Sequence, residues 1–458
     1  MQPFRSARLL ALASVLGSGF TAAQLLPAQT RPAPVVMISV DGMKPEYVTQ
    51  ADTYHLRIPV LRSFIAKGAY ATGVVGVIPT VTYPSHTTLV TGVWPSEHGV
   101  LNNTIFDPLQ QHPNTWYWDF ADIKVPTLYT AADAAGLTTA NVGWPVTVGA
   151  PIDYNIAEGT QSEHTDKPSG SPYHPENILD QIGIHPARDI DQDVTKTQET
   201  VAILTRFHPS LTLVHLTDLD HQEHEHSPFS PEANATLETI DGQIGQIRDA
   251  ALAVDPRTRI VVVSDHGFLR VDHRVNLNVL LTRAGLIEIE ATKSAGKKEK
   301  VVDWTAEAWP AGGSNAIMLK QPDNPELVAR VRQVLDAAKT DPANGISAIL
   351  EHDEIVARGG FPNASFLVDY KDGYMPGNAL AGAVVVDAPS TGMHGYLPSR
   401  PAMRSSFFVE GQGIAVGRNL GVIEMRQIAP TLAYLLGLSL PTAKQPAVDV
   451  IAHAQHDQ

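Results

Sequence analysis

Four short runs of this 458-residue chain hold mainly apolar residues with hardly a charge among them: VVMISV (35–40), TTANVGW (138–144), LTLVHL (211–216) and RIVVVS (259–264). A near-continuous apolar run suits a strand covered on both faces, whereas a strand with one wet face alternates. The intervening segments read as helices, the clearest being PEANATLETIDGQIGQIRDAALAV. Strands that alternate with helices of this length define an α/β fold, with a mostly parallel central sheet flanked by helices.

Between 283 and 385 the texture changes. A charged loop, ATKSAGKKEK, precedes an amphipathic helix, NPELVARVRQVLDAAKT, and glycine, proline and asparagine become frequent through GGFPNASF and DGYMPGNAL. This reads as a small α+β cap inserted into a catalytic domain made of 35–282 and 386–450. AVVVDAP and the helical IEMRQIAPTLAYLLGL then return to the core pattern. Ahead of the domain, MQPFRSAR and LLALASVLGSGF followed by TAA have the charge, apolar length and small residues of a secretory signal peptide over 1–23, with a Pro-rich lead at 24–34. The expected location is therefore periplasmic or extracellular. The chain has no cysteine, so no disulfide framework or lipidated cysteine is expected, nor a stable membrane anchor after cleavage. A net charge of -15 argues against a nucleic-acid polymer as partner, because that affinity comes from Lys and Arg neutralising phosphates. A small anionic substrate fits only if metal ions supply local positive charge.

Acids and histidines collect at four strand ends, where open α/β sheets build their sites. Asp41 follows VVMISV; LTDLDHQEHEHSP follows LTLVHL; Asp265 and His266 follow RIVVVS; and His394 follows AVVVDAP in TGMHGY. Taken singly, each has an ordinary reading as a cap, turn former or solvated loop. Their coincidence points to metal: mixed Asp and His without Cys suits zinc or a related divalent ion, and two such ions would bridge a phosphoryl oxygen.

The run IPTVTYPSHTTLVTG (78–92) raises a separate question, since neither a buried strand nor an ordinary loop needs so many hydroxyls. Pro84 fits the first turn of a helix and Gly92 its end, which places Thr82 at a helix N-terminus, where backbone N–H groups favour anionic oxygens. Thr82 is either a plain N-cap or a nucleophile; metal coordination would activate its hydroxyl.

The order SVDGM, PTVTYPSHTTLVTGVWPSEHGVLNN, LDHQEH, SDHG and GMHGYLP resembles the nucleotide pyrophosphatase/phosphodiesterase family of the alkaline phosphatase superfamily. The resemblance implies an alkaline phosphatase-like fold and two Zn2+ ions. One would be held by Asp220, His224 and His394, the other by Asp41, Asp265, His266 and the Thr82 oxygen. Thr82 is then the nucleophile, Asn103 binds the phosphoryl oxygen beside the Thr82 amide, and Tyr83, in place of a frequent Phe, stacks on a nucleobase or leaving group. His221 and His226 are neighbours rather than ligands, and Ser227 stands where the family commonly has Gly. The implied reaction is hydrolysis of a small phosphate diester, nucleotide or other, by double in-line displacement through a phospho-threonine. A phosphomonoesterase or phosphonate hydrolase on the same scaffold is the alternative, as is a zinc-binding module without catalysis. A monoesterase would need a cation for the extra phosphate charge, and Lys44 is the one basic residue close to these motifs.

Overall fold

The computed structural model describes residues 31–109, 111, 115–158, 170–185, 192–290 and 299–452. The expected signal peptide and most of the expected Pro-rich lead lie outside the described residues. The architecture that follows belongs to the unit Pro32–Gln458.

Its centre is a nine-stranded sheet. The first apolar run is strand β1 (Val35–Val40), every residue of it buried. The hydroxyl-rich run is helix α1 (Thr82–Thr91). The remaining runs give β2 (Thr139–Val142), β3 (Leu211–Leu216) and β4 (Arg259–Val263). Helix α2 (Asp218–His226) follows β3 directly. Strands β4, β1, β3 and β2 lie side by side in that order, all parallel, with Val35 level with both Leu211 and Arg259. Three antiparallel pairings lie outside this parallel centre, including Phe407–Glu410 against β4.

The period of two in β1 sorts its side chains between two layers. Val35 and Met37 join Leu89, Leu128 and Leu432 on one face, while Val36, Ile38 and Val40 join Phe64, Leu237, Ile240 and Ile244 on the other. Each such fully buried aliphatic side chain contributes ~1.5–3 kcal/mol, so an unbroken apolar run is what a sheet covered on both faces requires. The long helix is Pro231–Val254, the segment read from sequence, and Ser230 caps it by accepting from the Ala233 amide.

The described residues of 287–370 build a short hairpin, a four-stranded antiparallel sheet and the helix Pro325–Thr340, and many of them pack in a separate apolar cluster that also holds Val271 and Met403. One expectation is corrected here. AVVVDAP does not return the chain to the central sheet: it enters strand Val385–Met393, which pairs antiparallel with Leu269–Val275 in a three-stranded sheet. Val386 is 39% exposed, so this valine run is covered on one side only. Phe407–Glu410 is the late strand that does enter the central sheet.

Candidate active site

All ten residues of α1 are buried, and the structure accounts for its hydroxyls. Thr87 and Thr91 donate to the carbonyls of Tyr83 and Thr87, four residues back in each case. Such back-bonding is how a hydroxyl is satisfied inside a dry helix. Thr88 donates to the Val93 carbonyl beyond the helix end, and Gly92 takes the left-handed turn, φ 73°, that closes it. Thr82 and Ser85 are the exceptions: neither hydroxyl has a hydrogen-bond partner among the described residues, and Thr82 is the one that opens the helix.

Strand ends and loops bring the Asp and His residues to this helix start. Asp41 and Asp265 each have one anchored and one unanchored oxygen. Oδ2 of Asp41 lies 3.0 Å from His215 Nε2, and Oδ1 of Asp265 accepts from the Gly42 amide at 3.1 Å. Gly42 has φ 73°, and a Cβ there would meet Glu223 Oε2 at 2.6 Å, so this turn admits only glycine. Oδ1 of Asp41, Oδ2 of Asp265 and both ring nitrogens of His266 are buried without a hydrogen-bond partner. His266 Nε2 stands 3.3 Å from the first of these oxygens and 3.0 Å from the second.

The second group comes from α2 and the 392–396 loop. Asp220 and His224, four apart, share a helix face with Oδ2 and Nε2 3.5 Å apart. The amides of Thr217 and Asp218, at the start of this helix, donate to Asp193. His224 Nδ1 faces the Gly392 carbonyl at 3.1 Å, and His394 Nδ1 faces the Thr80 carbonyl at 3.1 Å, leaving each Nε2 for the site. His394 Nε2 lies 3.8 Å from Asp220 Oδ1, and its ring stacks on that of His266 at 3.6 Å. Thr80 also clasps this loop through its hydroxyl, which donates to the Tyr396 carbonyl and accepts from the Gly395 amide. Ligand atoms of Asp41, Asp265 and His266 all lie within 4.8 Å of one another, as do those of Asp220, His266 and His394. His221 and His226 are exposed and face Glu225.

Burial raises the pKa of Asp41 well above the carboxylate range, with Asp265 beside it adding to the rise. Burial, then His266, holds His394 well below the usual imidazole range. Burial opposes ionisation of Asp265 too, but His266, His86 and His215 outweigh it and keep the carboxyl low. Among the described residues no lysine or arginine pairs with Asp41, Asp220 or Asp265. Three gathered carboxylates with orphaned, buried acceptor atoms need a cation to offset them, and the Asp/His donor set matches a divalent metal of the zinc type.

Asn103 accepts at Oδ1 from the Tyr83 amide at 2.9 Å, while its own amide is fixed on Asn102. The side chain of Tyr83 is placed otherwise than expected. It is 1% exposed, with its ring 5.1 Å from that of Trp116 and 6.2 Å from that of Trp118. A ring enclosed by neighbours on the apolar side of a helix start has no open face for stacking a substrate, so Tyr83 is a packing residue here. Sequence reasoning missed Thr80, His86 and His215. His86 lies between the Thr82 carbonyl, 2.8 Å from Nδ1, and the Ser39 hydroxyl, 2.9 Å from Nε2. The first two stand in the hydroxyl-rich run and the third inside an apolar one, and none of them has a ligand-like spacing.

Fold and site together define an alkaline phosphatase-like α/β protein with paired Asp/His clusters at the ends of its strands. The family model for type I phosphodiesterase/nucleotide pyrophosphatase matches residues 35–396, and the chain belongs to that family. An uncharacterised pyrophosphatase/phosphodiesterase of Schizosaccharomyces pombe is 22% identical over 425 residues, covering 88% of this chain and 77% of that protein. Human ectonucleotide pyrophosphatase/phosphodiesterase family member 5 is 26% identical over 64% of this chain and 57% of its own length, and human member 1 is 24% identical over 53% and 24%. The chain thus spans about a quarter of member 1. Among solved structures, human member 5 superposes with a TM-score of 0.63 at 18% identity, covering 89% of this chain and 95% of that one. An inactive murine member 5 in complex with AMP gives 0.64 at 17% identity, covering 92% and 100%.

Proposed function

We propose that this chain is an exported two-zinc phosphodiesterase/nucleotide pyrophosphatase that hydrolyses small phosphate diesters through a phospho-threonine at Thr82. The observation that carries this reading is the set of buried Asp and His atoms left without partners around the start of α1. Asp220, His224 and His394 would hold one ion, and Asp41, Asp265, His266 and the Thr82 oxygen the other. When bound, the pair supplies Lewis-acid polarisation of a phosphoryl oxygen and favours an ionised oxygen nucleophile.

The chain's own residues do the rest. The Thr82 hydroxyl gives up its proton to solvent and Oγ forms a bond to phosphorus as the bond to the leaving oxygen breaks, that oxygen departing ionised or taking a proton from solvent. Water then attacks phosphorus, leaves its OH there and returns a proton to Thr82 Oγ as the threonine ester breaks. The Thr82 amide, at a helix start, and Asn103 Nδ2 donate to the phosphoryl oxygen where charge accumulates. The described residues of 283–385 are read as a cap that would shape the leaving-group side. Export rests on the N-terminal sequence; among the described residues no helix is long and apolar enough to cross a membrane. AMP bound to the murine relative is consistent with a nucleotide as one diester substituent.

The test combines metal and nucleophile. Chelated protein is expected to lose activity on a bis-nitrophenyl diester and regain it with zinc. Thr82→Ala should keep fold and metal yet lose most turnover, Thr82→Ser should keep far more, and the diester should be cleaved faster than the nitrophenyl monoester. Active protein that holds no divalent ion, or an alanine variant near wild-type turnover, would overturn the reading.

A further inference from the structure

We infer that His215, a residue outside both ligand groups, is a positioning residue that fixes Asp41 for metal binding; this rests on the two-zinc reading above. His215 stands on β3 level with Ser39 on β1, one strand away from the segment that carries Asp41. It is fully buried. Its Nδ1 lies 3.2 Å from the Gly143 carbonyl at the end of β2, and its Nε2 lies 3.0 Å from Asp41 Oδ2. The ring is thus held between two strand ends, and its second nitrogen occupies one oxygen of the carboxylate. The other oxygen, Oδ1, is the one without a partner, and it faces His266.

The division of labour repeats across the site. Gly42 N–H fixes one oxygen of Asp265, the Gly392 carbonyl fixes one nitrogen of His224, and the Thr80 carbonyl fixes one nitrogen of His394. In each case the protein holds one end of the ligand and leaves the other for the site. Asp41 alone among these four is held by a side chain rather than by backbone. A backbone anchor is not removed by trimming a side chain; the His215 anchor is. His86 packs 4.2 Å from the His215 ring and is bonded to Ser39, so the imidazole has no room to swing away from Asp41. Outer groups of this kind change metal affinity about 10–100-fold when removed.

The experiment measures zinc affinity at both sites by competition with a chromogenic chelator, on wild type, His215→Phe and His215→Gln, alongside thermal unfolding of the metal-free proteins. Phe fills the space without a hydrogen-bonding group; Gln carries an amide nitrogen able to reach the position of Nε2. The expected result is that wild type binds two ions, that the Phe variant binds one of them about 10–100-fold more weakly with the other unchanged, and that Gln restores most of the loss. If wild type binds no zinc, the two-zinc reading fails and this inference with it. If wild type binds two ions and the Phe variant binds both equally well, only the positioning role is overturned. The same holds if Phe and Gln weaken binding equally while both lower the metal-free unfolding temperature, because the ring would then serve packing alone.

Discussion

Replacing Asn103 by Asp separates two functions that a single amide performs. Oδ1 accepts from the Tyr83 N–H at 2.9 Å, and with that oxygen committed the Nδ2 hydrogens have no acceptor among the described residues. Aspartate keeps the acceptor and its length, so the start of α1 stays pinned and the unfolding midpoint should barely move. What is lost is the donor, and a negative charge takes its place. Removing one preorganised donor from a developing phosphoryl or acyl oxyanion costs about 10²–10³ in kcat, roughly 2.7–4 kcal/mol, and the added charge works in the same direction. Asn103→Asp is therefore expected to lose at least about 100-fold in kcat/KM on a nitrophenyl diester. Asn103→Ala should lose a similar factor but also destabilise the fold by ~1–3 kcal/mol, because the part-buried Tyr83 amide is left without an acceptor. Steady-state kinetics and urea unfolding on the two variants give both numbers. If Asn103→Asp stays within about threefold of wild type, less than ~1 kcal/mol of transition-state stabilisation, Asn103 does not contact the reacting phosphate and its role is confined to the helix start.

The packing of Tyr83 makes Tyr83→Ala a stability variant: it should cost ~3–5 kcal/mol in urea unfolding, with mono- and diester rates falling together rather than the diester alone. Burial, reinforced by Asp107, raises the Glu307 carboxyl from 4.5 to about 8. A raised folded pKa means that its contribution is intact below about 4.5 and is lost as pH rises to about 8. The advantage of Glu307→Gln in unfolding free energy should accordingly grow across that window to roughly 3–5 kcal/mol at most and then level off. An advantage that is flat with pH would show that Glu307 ionises normally.

What the sequence makes legible is local. Continuous apolar runs give the buried strands because side chains alternate between two covered faces, and the four-residue spacing of Asp220 and His224 gives a shared helix face because the period is 3.6. What stays hidden depends on which elements become neighbours. His215 looks like an interruption in an apolar run until β3 is set beside β1 and its ring meets Asp41. Thr80 looks like one hydroxyl among many until the 392–396 loop comes to rest on it. Tyr83 fails in the other direction. Its place next to Thr82 suggests a substrate platform, but neighbours on a helix point about 100° apart, and one residue's turn is enough to send the ring into the Trp116 and Trp118 cluster.

The position of Lys44 bears on substrate class in the same way. Nothing in its spacing says where a four-carbon chain ends, and it stands three residues from Asp41, close enough to serve a phosphate. Its Nζ instead donates to the Phe268 carbonyl at 3.4 Å and lies 5.1 Å from the centre of the Phe229 ring. Glu223, whose carboxyl burial raises well above its usual range, is fixed by the Tyr47 hydroxyl at 2.8 Å, so what the lysine has to satisfy before any ligand arrives is a carbonyl and an aromatic face. A monoester at neutral pH would bring one more negative charge than a diester to a site that already gathers Asp41, Asp220 and Asp265. In a poorly hydrated space that extra charge requires a further cation at close range. With Lys44 committed elsewhere, the two proposed ions have three carboxylates to balance as well as the substrate, and that balance favours the singly charged diester.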